Sequence, residues 1–332
     1  VISNEDMLVR VNDLDNSQQG AVVARGDLDL QADGAVDNHT GTLVANGNLN
    51  LRADALDNQQ GDLSAGQSLQ AQITGKVDNR AGMLASSNLL DVQADQLDNR
   101  QQGQLVSQGD ISLRATELTN ADGVLYAKGK ATLQLNGQLD NSQGGLLLAD
   151  QGLNLDANSL DNRDGTIQAT GGLLSMVLAA HLNNTNGLLL AGDGALDIQA
   201  DEIDNQSGVI TSLKGLLHSS SRAFNNRSGN LQAQDVDLKV TQNLNNDLGH
   251  IAAISGDLTL DAQRVSNMHG ALFARQLLTI SAEQLNNNDS LLALFMGTES
   301  DYQLQDWIVF YREMLEHNWE GFVATSIAQG LE

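Results

Sequence analysis

The chain has 332 residues, a formal net charge of −25, and no cysteine or proline. The absence of cysteine excludes disulfides, cysteine-based zinc sites and thiol nucleophiles. The negative charge argues against binding to nucleic acid or to anionic lipid. No apolar run reaches the roughly 18 residues that a membrane-spanning helix needs, so membrane insertion is not expected. The lack of proline suits a chain of paired strands, because proline cannot donate a hydrogen bond to a sheet ladder.

The first residues already belong to a repeating pattern. Leu8, Val9 and Val11 lead into the segment Leu14-Asp15-Asn16, a motif that returns along the chain. Residues 1–6 are acidic and polar and do not resemble a signal peptide. We therefore expect the chain to be a piece of a longer protein.

One asparagine recurs at intervals of 20 to 22 residues, each time after Leu, Val, Ile or Phe and one polar residue. The fourteen positions are Asn16, Asn38, Asn58, Asn79, Asn99, Asn120, Asn141, Asn162, Asn184, Asn205, Asn226, Asn246, Asn267 and Asn287. Such regularity indicates a repeat protein, in which each unit contacts only its neighbours.

Each repeat carries the same further columns of residues. Glycine follows the asparagine by three or four residues in every repeat except the last, which has Ser290 in that place. An aliphatic residue stands two positions after the glycine, and Ala or Ser stands four positions after it. A second alternating run, such as Leu28-Asp29-Leu30, precedes the next asparagine motif. Alternation at period two predicts strands, here three short ones per repeat.

These columns predict an all-β fold, a right-handed parallel β-helix (solenoid) of about 14 coils. Coils stacked ~4.8 Å apart would give a shaft of roughly 65 Å, and the right hand is the expected one for parallel crossovers. The asparagines are expected to form a structural ladder of stacked side chains. They are also expected to take the left-handed backbone conformation at a sharp corner, which asparagine tolerates. The glycines are expected to supply positive φ or close backbone approach.

The C-terminal part departs from the repeat. Seven of the ten aromatic residues lie after residue 290, and apolar residues recur there at helical spacing. We predict a helix at roughly 301–318 and divide the chain into a shaft at 1–290 and an aromatic-rich, partly helical segment at 291–332. That segment would cap the last coil; the alternatives are a docking helix for a partner and a tail foreign to the repeat.

Candidate chemistry is sparse in the sequence. Aspartate precedes the ladder asparagine in eight repeats, at Asp15, Asp37, Asp57, Asp78, Asp98, Asp140, Asp161 and Asp204. Stacked carboxylates could bind Ca²⁺, but Thr, Asn or Ser interrupts the column, which favours turn-forming or solvated residues. The six histidines share no column, and Ser219-Ser220-Ser221 lacks the Gly-x-Ser-x-Gly elbow of a nucleophile. We expect no catalytic, cofactor-binding or metal-binding residues.

Units such as LDNSQGGLL at 139–147 and LDNRDGTI at 160–167 resemble the haemagglutinin repeats of filamentous haemagglutinin-like exoproteins. That family comprises two-partner-secreted adhesins and the stalks of contact-dependent growth-inhibition toxins. The resemblance covers residues 8–290 and implies a right-handed β-helical shaft, export through a dedicated outer-membrane partner barrel, and display at the bacterial surface. The family's N-terminal secretion domain and C-terminal toxin domain are not recognisable here.

Two functions therefore compete. The first is a structural shaft that presents a distal domain or adheres to a host or neighbouring cell through an unknown receptor. The second is a polysaccharide-binding or polysaccharide-degrading β-helix, whose coils would carry long inserted loops and clustered acids beside a groove. Repeat length here varies by only two residues, which favours the shaft.

Overall fold

The computed structural model describes the backbone of residues 1–294 and the side chains of residues 1–290. All regular secondary structure in this part of the chain is β-strand, and every strand pairing in it is parallel. The prediction of an all-β parallel solenoid of about 14 coils is confirmed. The helix predicted at 301–318 and the cap or tail predicted at 291–332 lie outside the residues whose side chains are described. No helix in the described part of the chain is long and apolar enough to cross a bilayer.

The first sheet takes one strand from each coil, mostly of four residues, placed directly after the recurring glycine. Its 15 strands are β1 (Ile2–Ser3), β4 (Ala21–Ala24), β7 (Thr42–Ala45), β10 (Asp62–Ala65), β13 (Met83–Ser86), β16 (Gln104–Ser107), β19 (Val124–Ala127), β22 (Leu146–Ala149), β25 (Thr166–Ala169), β28 (Leu188–Ala191), β31 (Val209–Ser212), β33 (Asn230–Ala233), β35 (His250–Ala253), β37 (Ala271–Ala274) and β39 (Leu291–Leu294).

The second sheet has 24 strands, and most coils contribute to it a longer strand and then a shorter one. The longer strands are β2 (Met7–Val11), β5 (Leu28–Ala32), β8 (Leu49–Ala53), β11 (Ser68–Ile73), β14 (Leu89–Gln93), β17 (Asp110–Ala115), β20 (Lys130–Leu135), β23 (Gly152–Ala157), β26 (Leu174–Leu178) and β29 (Leu196–Gln199). The shorter strands are β3 (Leu14–Asp15), β6 (Ala35–Asp37), β9 (Ala55–Asp57), β12 (Lys76–Asp78), β15 (Gln96–Asp98), β18 (Glu117–Thr119), β21 (Gln138–Asp140), β24 (Ser159–Asp161), β27 (His181–Asn183) and β30 (Glu202–Asp204).

In the last four coils of this sheet the two strands join into one. These are β32 (Leu216–Asn225), β34 (Asp235–Asn245), β36 (Leu258–Ser266) and β38 (Leu278–Asn286). The register of the β32–β34 pair shifts between Ser221 and Ala223, and that of the β34–β36 pair shifts between Val240 and Asn243. These irregularities coincide with the bend that separates the two strands in earlier coils, since a bulge lets a continuous strand turn a corner.

The pairing register places like residues over like. Val22 pairs with Leu43, and Leu43 pairs with Leu63, in the first sheet. The alternating burial along each strand points one set of side chains inward, where the columns of Leu, Val, Ile and Ala form a single aliphatic core. Because each coil covers the core residues of its neighbours, the burial that stabilises one repeat is supplied by the repeats on either side.

The eleventh coil departs from this aliphatic pattern. Ser219 occupies an inward column between Ile198 of the preceding coil and Leu238 of the next. Ser219 is 1% exposed and Ser221 is 7% exposed, and neither hydroxyl has a hydrogen-bond partner among the described residues. The same coil carries Phe224, a larger buried side chain than the Leu, Val or Ile found in its column elsewhere. Phe224 therefore restores apolar volume to a coil that the serines make more polar.

Replacing Ser219 with Ala should leave the free energy of unfolding unchanged or raise it by up to about 1 kcal/mol, because an unpaired buried hydroxyl opposes folding. The matched control is Ser86→Ala, since the Ser86 hydroxyl bonds to Ser107 Oγ at 3.1 Å and its loss should cost about 1 kcal/mol. Urea denaturation of both variants measures the difference. A Ser219→Ala variant that is less stable than Ser86→Ala would contradict this assignment.

Candidate functional site

The fourteen recurring asparagines lie in one file along the corner between the second sheet and the first. The Nδ2 of each of the first thirteen donates to the Oδ1 of the asparagine one coil further on, at 2.7–2.8 Å. We call this continuous row of side-chain amides the asparagine ladder. From Asn38 to Asn267 every ladder residue is fully buried.

Backbone carbonyls complete the bonding of each amide. The Nδ2 of Asn141 donates to Asn162 Oδ1 at 2.8 Å, to the Gly145 carbonyl at 3.1 Å and to the Thr166 carbonyl at 3.2 Å. Its Oδ1 accepts from Asn120 at 2.8 Å. A buried amide needs such partners, because an unpaired one costs more than its hydrogen bond contributes. The ladder thus joins each coil to the next through side chains as well as backbone.

The turn that follows each ladder residue is closed by a backbone hydrogen bond from the glycine, for example Gly165 N–H to the Asn162 carbonyl at 3.1 Å. Positive φ lies at the residue before the glycine, such as Asp164 with φ of 57° or Ala81 with φ of 53°. The expectation that the ladder asparagine takes the left-handed conformation is therefore wrong. Among the turn glycines themselves none has positive φ; Gly144, at 83°, stands in the preceding position.

Repeats with a longer turn add a second left-handed residue. Where the glycine stands four positions after the asparagine, two successive residues have positive φ: Gln18 and Gln19, Gln101 and Gln102, or Gln143 and Gly144. The extra residue is thus absorbed in the turn, and the ladder keeps its alignment.

The turn glycine is required by close approach. A Cβ built on Gly165 would lie 2.0 Å from the Asn141 carbonyl oxygen and 2.7 Å from Asn162 Oδ1. The corner of one coil rests directly on the ladder residue of the coil below, and no side chain fits between them. Of the two explanations that the sequence offered for this column, close approach is the one that the geometry supports.

The aspartates that precede the ladder form side-chain turns. In each of the eight, Oδ1 accepts the backbone N–H two residues further on, at 2.9–3.4 Å. Asn183, Asn225 and Asn245 make the same bond from the same column. Either residue type serves because only one oxygen is needed. Within residues 1–290, no group of three histidine or acidic side chains is placed to hold a metal ion.

Arginine pairs with three of these carboxylates. Arg80 donates two hydrogen bonds to Asp78, both at 2.8 Å, and Lys76 donates a third at 2.9 Å. Burial alone would raise the pKa of Asp78, but the bonds from Arg80 and Lys76 outweigh it and lower the pKa to about 2. The pKa of Asp98 and Asp161 is lowered in the same way, burial being outweighed by the bonds from Arg100 and Arg163.

The histidines and the serine triplet do not converge on a catalytic arrangement. His218 Nδ1 lies 3.1 Å from Asp237 Oδ2 on the outer surface, whereas the neighbouring Ser219 and Ser221 point into the core. His181 Nδ1 lies 4.0 Å from Glu202 Oε2, and burial lowers the pKa of His250. His317 lies outside the described residues.

A surface groove is the feature that sequence reasoning missed. It consists of two separate open depressions, which both lie beside the bend at the end of the longer strands. One, of about 460 Å³, is lined by Gln93, Arg114, Gln134 and their neighbours. The other, of about 940 Å³, is lined by Lys239–Gln242, Asp261–Gln263 and Ser281–Glu283. Glutamine recurs in the column that lines it, for example at Gln93 and Gln134, but exposed polar columns of this kind are equally typical of a solvated face.

Comparison with known families gives one positive result. A family model described as haemagglutinin repeat matches residues 4–39, 23–81, 85–143, 127–175, 177–253 and 236–300. This confirms the resemblance that the repeat motifs indicated. Neither the curated proteins nor the solved structures gave a match.

Replacing Asn141 with Leu should lower the free energy of unfolding by roughly 1–3 kcal/mol, because Asn120, Asn162 and two carbonyls would each lose a buried partner. Asn154→Leu is the matched control, since Asn154 is exposed in β23 and its side chain makes no hydrogen bond to a described residue. Thermal and urea denaturation monitored by circular dichroism would compare the two. Equal stability of both variants would show that the ladder does not hold the coils.

The stability supplied by Asp78 should depend on acid pH. Its folded pKa, about 2, lies below the ordinary value of 3.8, so its contribution is present above about pH 4 and is lost as pH falls towards 2. Asp78→Asn keeps the turn oxygen and removes the charge. We expect it to be about 1–2 kcal/mol less stable than the unmodified chain at pH 6, after allowance for solvent screening.

That difference should close towards pH 2. Asp140→Asn is the control, because the Asp140 carboxylate accepts only the Ser142 amide. A gap for Asp78→Asn that stays constant between pH 6 and pH 2, in urea titrations, would contradict the role of the charge.

Proposed function

Because these matches cover most of its length, the chain belongs to the haemagglutinin-repeat family, and we propose that it is a shaft segment of a secreted, surface-displayed bacterial exoprotein. The parent would be an adhesin or a contact-dependent toxin-delivery protein. The single observation that carries this proposal is the uniform coil: from Asn16 to Asn287 the repeat length varies by only two residues. A shaft works by reach and rigidity, and uniform coils joined by an internal ladder supply both.

The finer features of this proposal follow from the family. The coils would wind to the right, residues 1–290 would form the shaft, and residues 291–332 would form a separate aromatic-rich segment. Export would use an outer-membrane partner barrel, and the distal part of the parent would meet a receptor on a host or neighbouring cell. The lack of cysteine suits a chain that crosses an oxidising compartment before it folds.

The asparagine ladder is proposed as the element that holds the shaft in register. A strand whose register slips by one residue turns its inward side chains outward. A slipped coil would also leave one buried amide in each neighbour without a partner. Misalignment would therefore cost both apolar burial and side-chain hydrogen bonds. The fourteen ladder residues are therefore structural in this proposal, and no step of catalysis is assigned to the chain.

A polysaccharide-degrading β-helix is the competing function. Such an enzyme needs acids and a base converging beside a groove. Here the conspicuous serines point into the core, and the acids that precede the ladder are engaged by backbone N–H groups. These contacts favour the shaft over the enzyme.

Removal of whole coils tests the shaft proposal. Deleting residues 163–205, two complete coils, joins Asn162 to Gln206 in phase and should shorten the shaft by about 10 Å. We expect surface display and cell adhesion by the parent protein to persist, with the shortening visible by electron microscopy. Deleting residues 163–195, which breaks the phase, should abolish protease resistance and display. Loss of adhesion by the in-phase variant, although it folds and is displayed, would show that these coils carry a binding site and would overturn the proposal.

A further inference from the structure

The groove at the bend of the second sheet has the chemistry of a ligand site, and we propose that it binds a strand of neutral polysaccharide lying along the axis of the coils. This inference concerns a ligand of the shaft itself and does not depend on what the parent protein presents. One of its two sections spans four successive coils, because Gln93 pairs with Arg114, Arg114 with Gln134, and Gln134 with Asp156 in the strand register. Equivalent groups therefore repeat every ~4.8 Å along the groove.

The lining of this section is polar and carries hydrogen-bonding groups that the protein leaves unused. The side chains of Gln93, Gln134 and Asn136 are exposed and make no hydrogen bond to any other described residue. Thr116 and Asp156 are likewise exposed and without a side-chain partner in the described part of the chain. An amide both donates and accepts, which matches the hydroxyl groups of a sugar. Its floor is formed by the buried Ala94, Ala115 and Leu135.

The charge of the section selects a neutral ligand. The lining carries one cation, Arg114, which pairs with Asp91 at 3.4 Å, and one carboxylate, Asp156; the other lining side chains are uncharged. Nucleic acid requires a row of cations to neutralise phosphates, which this groove lacks, and a net charge of −25 on the chain would repel an anionic polymer. The groove walls present no large apolar side chain for an amphipathic helix to bury. A hydroxyl-rich, uncharged polymer is the partner class that this lining fits.

The groove can engage a polymer at more than one place. The second section lies along the same bend in coils twelve to fourteen, where Thr241 and Ser281 lie beside the charged side chains of Lys239, Asp261 and Glu283. Between the two sections Val177 continues the column of Asp156 and is 45% exposed, so the apolar face of a sugar ring could pack there. Weak contacts at successive coils add through effective concentration, and binding should therefore strengthen with polymer length.

The test uses the purified full chain in native gels that contain a polymer. The probes are two neutral glucans, hydroxyethyl cellulose and dextran, and one anionic polymer, polygalacturonate. We expect retardation by a neutral glucan, no retardation by polygalacturonate, and little change between low and high salt. The double variant Gln134→Ala/Asn136→Ala should weaken binding by roughly fivefold or more, since two exposed hydrogen-bonding groups are lost.

The control is Gln108→Ala, an exposed glutamine in the turn between β16 and β17, away from the groove. It should bind as the unmodified chain does, and both variants should keep the original melting curve because the replaced side chains are exposed. If a variant melts differently, Gln93→Ala replaces it as the groove variant. Absence of retardation by both glucans overturns the proposal. So does retardation that the groove variants leave unchanged, or binding that disappears at high salt.

Discussion

The structure depends on one constraint: a side-chain amide buried in each coil must find its partners in the coils above and below. Asn141 has no other source for these bonds, because water is excluded from the corner and its own coil supplies only the Gly145 carbonyl. In-register stacking satisfies the amide, and the same stacking lays leucine over leucine in the core. Backbone pairing, apolar burial and side-chain bonding therefore all favour a single alignment, and this agreement between levels is what allows a repetitive sequence to specify one structure.

Much of this fold could be predicted because the same residue types recur at the same positions of every repeat. The columns of aliphatic residues, of small residues and of asparagine place three strands in each coil. The conformation of the turn was harder to predict, because the left-handed position carries residues as different as Ala81, Leu248 and Asp164. No side-chain preference marks it; the geometry of the coil imposes it. The glycine beside it is invariant in thirteen repeats for a different reason, since the adjoining coil occupies the space of a Cβ.

The groove, in contrast, could not be predicted from the sequence. Its residues, such as Gln93 and Gln134, are ordinary exposed polar side chains, and nothing in a linear sequence distinguishes them from a solvated face. They become a candidate site because the bend of each coil places them along one concave line. The aspartate column shows the reverse case: its interruption by Thr, Asn and Ser favoured turn-forming residues over a cation site, and each carboxylate closes a local turn, while three also bind arginine. The exposed columns can therefore change residue type from coil to coil without disturbing the buried columns that hold the coils together.

The most direct measurement of the central constraint is hydrogen exchange at the asparagine side chains, followed by NMR on the ¹⁵N-labelled chain. If the ladder exists as described, a set of Nδ2 protons from the buried column should exchange as slowly as the core backbone amides, because both are released only when coils separate. Exposed asparagines such as Asn154 should exchange within the dead time. Ladder amides that exchange as fast as Asn154 would show that the side chains are not bonded from coil to coil, and would contradict the account.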